Sequence, residues 1–201
     1  MTVYICEFPP DLKADYRLEH ECAIRMLRTI YGPEFILRKA ASGKPLPSLF
    51  SGSAPGSESF FSISHCKKAV AVATDRDNNG VDMERRFPWK ESLARRMCAG
   101  PENEFLLKLS GEPKESWLQI IWSRKESYLK YTGEGLRRSP ASFCVLGKKK
   151  TDPAQPDRVT IGNTRVIFWQ QQTENYTLCT CGSSIPGRIV YLHFNEMMSP
   201  S

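Results

Sequence analysis

Two carboxylates one residue apart, Asp82 and Glu84, stand in the run Gly80-Val81-Asp82-Met83-Glu84. On a strand, residues i and i+2 point to the same face, so these acids present their oxygens to one spot. Two like charges that close are unfavourable unless a cation or a cationic side chain lies between them. Magnesium is the economical partner, because it takes hard oxygen ligands and keeps its other positions for water or phosphate oxygens. A solvent-facing strand neutralised by Arg85 or Arg86 would carry the same pair. A second candidate pair, Glu126 and Lys130, is spaced i, i+4, which puts both side chains on one helical face. By itself such a pair is usually a solvated surface ion pair of about 0.3–0.5 kcal/mol. Gly43-Lys44-Pro45 reads as a turn, and Ser64-His65 closes a short apolar run.

These residues need elements to hold them. Apolar residues recur at helical spacing over 12–30, and Tyr31-Gly32-Pro33 stops the run. Residues 41–59 are rich in Gly, Pro and Ser and read as a long irregular segment. Strands are predicted over 60–64 and 69–74, with 65–68 as their connection, and a third begins at 81–84. Short helices are predicted over 90–98 and 102–109, and the strongest helix over 117–131, closed by Gly133. The remainder reads as short strands over 143–146, 158–161, 166–170, 176–181 and 189–194, with a polar loop over 148–153. The class is α+β. Phe87-Pro88-Trp89 breaks the pattern, so the expected division is a first half over 1–88, carrying the acid pair, and a second over 89–201, carrying the long helix.

Taken together the four clusters are more specific than any of them alone. Gly43-Lys44-Pro45, Phe61-Ser-Ile-Ser64-His65, Gly80-Val81-Asp82-Met83-Glu84 and Trp122-Ser-Arg-Lys125-Glu126-Ser-Tyr-Leu-Lys130-Tyr-Thr-Gly133-Glu-Gly135-Leu136 occur in that order. In this the sequence resembles the 4'-phosphopantetheinyl transferase superfamily, specifically the single-chain group typified by the surfactin synthetase activator. The resemblance implies two similar halves related by a pseudo-twofold, each a helix on a small antiparallel sheet. It implies a holo-carrier-protein synthase, which moves 4'-phosphopantetheine from coenzyme A to a serine of an acyl or peptidyl carrier protein and releases 3',5'-ADP. It implies Mg2+ held by Asp82, Glu84 and Glu126, and Glu126 as general base, directly or through a water. Lys125 and Lys130 would hold phosphates or protonate the leaving group, while Lys44, Ser64 and His65 would grip the 3'-phosphoadenosine end. Glu102 falls where the family is acidic. The family's basic N-terminal segment is shortened here, and Lys13 and Arg17 are possible substitutes.

Bulk properties agree without choosing a partner. The 201 residues carry a net charge of +6, which favours an anionic ligand or an acidic protein. A basic nucleic-acid-binding protein using Arg137, Arg138 and Lys148 to Lys150 is the competing class, but it leaves the three acids unexplained. An inactive carrier-binding relative is a third. The seven cysteines form no CxxC pair, so a zinc or disulfide framework is not expected, and no stretch is apolar enough to span a bilayer. The N-terminus does not read as a signal peptide. The expectation is a cytoplasmic monomer with neither a membrane nor a nucleic-acid partner. Arg85, Arg86, Arg95 and Arg96, with Met97 as an apolar contact, form the expected docking surface for a carrier.

Overall fold

A computed structural model describes residues 1–48, 59–147 and 155–199. The described residues form five α-helices and two four-stranded sheets, in the order β1 (Thr2–Glu7), α1 (Tyr16–Tyr31), β2 (Phe60–Cys66), β3 (Ala69–Asp75), β4 (Asn79–Arg85), α2 (Glu91–Met97), α3 (Gly100–Leu106), α4 (Gly111–Thr132), β5 (Asp157–Ile161), β6 (Thr164–Gln172), β7 (Tyr176–Gly182), β8 (Arg188–Leu192) and α5 (Phe194–Met198). The mixed α+β class is as expected. The loop predicted over 148–153 and the lysines within it lie outside the described residues. No described helix is long and apolar enough to cross a membrane.

The first sheet has the order β2-β3-β1-β8 and the second β4-β7-β6-β5. The second is antiparallel throughout, whereas β1 and β8 pair in parallel, so the first sheet is not the purely antiparallel unit expected. Sheet membership also departs from the break at residue 88. The acid-bearing β4 is hydrogen-bonded into the second sheet, and the C-terminal β8 returns to the first. The reason lies in pairing: β3 is already flanked by β1 and β2, so the chain leaves the first sheet after it.

Each sheet carries one long helix. Asp15 caps α1 by accepting the Leu18 N–H at 2.9 Å, and the buried stripe Cys22, Ala23, Met26, Leu27 and Tyr31 lies over β2 and β3. Helix α4 ends at Gly133, whose φ of 74° suits a residue without a Cβ. It lies over β4 and β7, and its buried residues Leu118, Ile120, Ile121 and Leu129 join one core with Val145, Phe168 and Cys179. A further core of Val3, Ile5, Ala71, Ala73, Val81, Met83 and Leu178 joins the two sheets.

The sheets also meet edge to edge. Asn79 Nδ2 donates to the Phe60 carbonyl, and the Val81 and Met83 amides donate to the Ser62 and Ser64 hydroxyls, each at 3.0 Å. The constant offset of these pairs means that β2 and β4 run side by side in parallel, joined through side chains instead of a backbone ladder. On its other side β4 is pressed against α4. A Cβ on Gly80 would stand 2.0 Å from the Ser127 carbonyl oxygen and 2.6 Å from the Tyr131 nitrogen, both backbone atoms. Gly80→Ala is therefore expected to destabilise the protein by roughly 2–4 kcal/mol, read as a lower urea midpoint, because helix or strand must move. An unchanged midpoint would contradict this packing.

Candidate active site

Where β2 meets β4, side chains from both sheets and from α4 converge. Lys130 Nζ donates to Asp82 Oδ1 at 2.9 Å and to Ser64 Oγ at 2.7 Å, and the Ser64 hydroxyl lies 3.3 Å from the same Asp82 oxygen. Ser64 thus receives the Met83 amide and the Lys130 ammonium while facing Asp82. It is buried at the seam, behind the cavity wall, and not among the cavity's lining residues. Glu126, Leu129 and Lys130 share one face of α4 and, with the capping Gly133, line a cavity of about 360 Å³. Its opposite walls come from Tyr16, His20 and Ile24 of α1, from Lys39, Lys44 and Pro45, and from Ile63 and His65 of β2. Lys13 and Arg17 are not among the lining residues.

The three acids share one electrostatic environment. Burial, then the Asp82 charge, raises the Glu84 carboxyl from an ordinary 4.5 to about 7, against which a Trp122 hydrogen bond and Lys130 act more weakly. Burial and Asp82 likewise raise Glu126, with Lys130 opposing. Asp82 Oδ2 is buried and has no hydrogen-bond partner. An orphaned carboxylate oxygen beside two acids that resist ionisation fits a divalent cation, since hard oxygen donors and surplus negative charge are what magnesium requires. Among the described residues no three such side chains already close round a point, and the Lys130 ammonium neutralises Asp82 from the Oδ1 side.

The remaining expected residues divide. His65 lies against the cavity with Nδ1 2.7 Å from Glu19 Oε2. Lys44 also lines it, but its ammonium donates to Asn78 Oδ1 at 2.5 Å and to the Tyr131 carbonyl, one of the last carbonyls of α4. It therefore acts as a cation at a helix C-terminus. Burial lowers its ammonium to about 8. Lys125 is elsewhere. It sits one residue before Glu126, on a different face of α4, at 0% exposure, bonded to Glu102 Oε2 at 2.8 Å and to the Pro140 and Phe143 carbonyls. Glu102 in turn accepts the Ala99 and Val145 amides. The expected phosphate contact of Lys125 is thus replaced by a buried ion pair that ties α3 to α4, and this pair gives Glu102 its role. Met97 is 1% exposed, so it belongs to the core and not to a docking surface. Glu19 was missed by sequence reasoning. Its only signal is an acid at the head of an apolar helical stripe.

The frame is α+β, and the cavity carries three lysines and an acid cluster near its edge. The model of the 4'-phosphopantetheinyl transferase superfamily matches residues 79–181, about half the chain, running from the start of β4 almost to the end of β7. The chain belongs to that superfamily. It is similar to the 4'-phosphopantetheinyl transferase ffp of Bacillus subtilis, at 30% identity over 60% of this chain and 54% of that protein. It is also similar to the 4'-phosphopantetheinyl transferase Sfp of Bacillus subtilis, at 32% identity over 44% of this chain and 39% of Sfp. The 4'-phosphopantetheinyl transferase HetI of a Nostoc species is 35% identical over 47% and 40% respectively. The chain thus spans about half the length, or less, of the relatives it matches.

Two outcomes check the site. A carboxyl whose folded value is raised binds its proton more tightly folded than unfolded, so its contribution to stability is intact below pH 4.5 and lost as pH rises through about 7. Glu84→Gln should therefore flatten the fall in stability between these values by on the order of 2 kcal/mol, measured by denaturation at each pH. Lys125→Met should cost about 3–5 kcal/mol by stranding Glu102, yet leave ligand affinity per folded molecule unchanged. A selective loss of affinity would restore Lys125 to the cavity.

Proposed function

We propose that the chain is a holo-carrier-protein synthase. It transfers 4'-phosphopantetheine from coenzyme A to a serine of an acyl or peptidyl carrier protein and releases 3',5'-ADP. Membership of the superfamily and the names of the relatives support the reading. The observation that supports it is the electrostatic proximity of Asp82, Glu84 and Glu126 to Lys130, which with Glu126 lines a cavity shared with Lys39, Lys44 and His65.

Asp82, Glu84 and Glu126 are the residues that would hold Mg2+, which when bound neutralises charge on the pyrophosphate. Phosphoryl transfer depends mainly on positioning and on charge at the phosphate oxygens. Lys130, fixed by Asp82 and Ser64, offers its ammonium to those oxygens from the α4 side. Glu126 has a proton affinity raised by burial and by Asp82 and lines the cavity, so it suits a base that takes the serine hydroxyl proton. The serine oxygen bonds to the phosphorus that bears pantetheine while the bridging P–O bond breaks, and the electron pair leaves on 3',5'-ADP.

Incubation with coenzyme A, Mg2+ and an apo carrier protein should add one phosphopantetheine to the carrier by mass spectrometry. Asp82→Ala should lower the rate by roughly a hundred-fold or more while the circular dichroism spectrum stays that of the folded protein. A carrier left unmodified across the acyl and peptidyl classes would sink the proposal.

A further inference from the structure

Glu19 is an acid where an apolar residue would be expected. It heads the buried stripe of α1 at 7% exposure, and it lies behind a cavity whose walls include Lys39, Lys44 and Lys130. A buried carboxylate is costly unless it is paired. Its partner is His65, with Oε2 and Nδ1 2.7 Å apart. An ionised carboxylate only accepts, so the proton between them belongs to Nδ1. The first helical turn around Glu19 favours its negative charge. The Tyr16 ring packs edge-on against the imidazole at 5.6 Å and stacks on His20 at 6.1 Å, which restricts rotation of the His65 ring. With Nδ1 engaged, Nε2 is the nitrogen left for a ligand in the cavity.

We propose that Glu19 is a positioning residue: it fixes the plane and tautomer of His65 so that Nε2 is presented to the 3'-phosphate of the ligand. The inference rests on the coenzyme A reading above. An imidazolium between Glu19 and a phosphate has one N–H for each anion, which is the full donor capacity of the ring. An imidazole without Glu19 is free to turn or to carry its proton on the other nitrogen. Lys130, by contrast, is held by Asp82 and Ser64, so loss of Glu19 leaves the acid cluster as it is.

The test compares wild type, Glu19→Leu and Glu19→Gln in calorimetric titrations with coenzyme A and with dephospho-coenzyme A. It adds nitrogen-15 spectra of the His65 ring and a melting profile of each variant. Glu19→Leu should weaken coenzyme A binding roughly ten-fold and dephospho-coenzyme A binding less than about two-fold, a charge-assisted contact being lost only for the former. The protonated Nδ1 signature of His65 should disappear with it. Glu19→Gln, whose carbonyl still accepts from Nδ1–H, should recover most of both. Equal weakening of the two ligands, no weakening, or an unchanged His65 tautomer in Glu19→Leu overturns the role of Glu19 alone. A wild-type protein that binds no coenzyme A overturns the functional reading together with it.

Discussion

The seam between β2 and β4 is the constraint on which the rest of the molecule depends. Two exposed strand edges would each invite foreign pairing. Here they cover one another through the hydroxyls of Ser62 and Ser64, which accept the Val81 and Met83 amides. Alternate amides of β4 therefore face β2 while Asp82 and Glu84 pair with Cys179 and Thr177 of β7. The acid pair is thus held from both sheets at once. A one-residue slip in β4 would turn both acids to the opposite face of the strand.

Helix α4 closes this arrangement because it is buried on more than one side, and its faces have separate duties. Lys125 and Arg124 point inward, to Glu102 and to Asp157 respectively, and lock the helix to the second half. Glu126 and Lys130 look toward the cavity, where Lys130 alone among the site's cations bonds to one of the three acids among the described contacts. Surplus carboxylate charge is the site's defining property. Burial and then the Asp82 charge raise Glu84 and Glu126, Asp82 Oδ2 is left without a partner, and together these features make the edge of the cavity receptive to a hard cation.

Local patterning made much of this legible in the sequence. Helical spacing located α1 and α4 to within a few residues, apart from the first turns of α4, and period-two alternation placed β2, β3 and β4. Gly80 is explained only by the structure, since no periodicity reports that a helix backbone passes against a strand. The division at Phe87-Pro88 is a local break in pattern, whereas the sheets are divided by long-range pairing: β4 goes forward and β8 returns to β1. Residues 143–146 were expected as a strand and lie instead outside any sheet, where the Val145 amide is satisfied by Glu102. For Lys125 the motif registers a lysine but not the face of the helix it occupies. Glu126 and Lys130 were legible because i, i+4 spacing fixes a shared face without tertiary information.

The central claim is that Asp82, Glu84 and Glu126, drawn from a strand and a helix, act as one cation site. Electron paramagnetic resonance of Mn2+, a magnesium surrogate, titrated into the protein with coenzyme A measures this most directly. The account predicts one bound ion per chain, with affinity weakened in Asp82→Asn, Glu84→Gln and Glu126→Gln alike. Binding that survives intact in Glu126→Gln, or no bound ion in wild type, would contradict it.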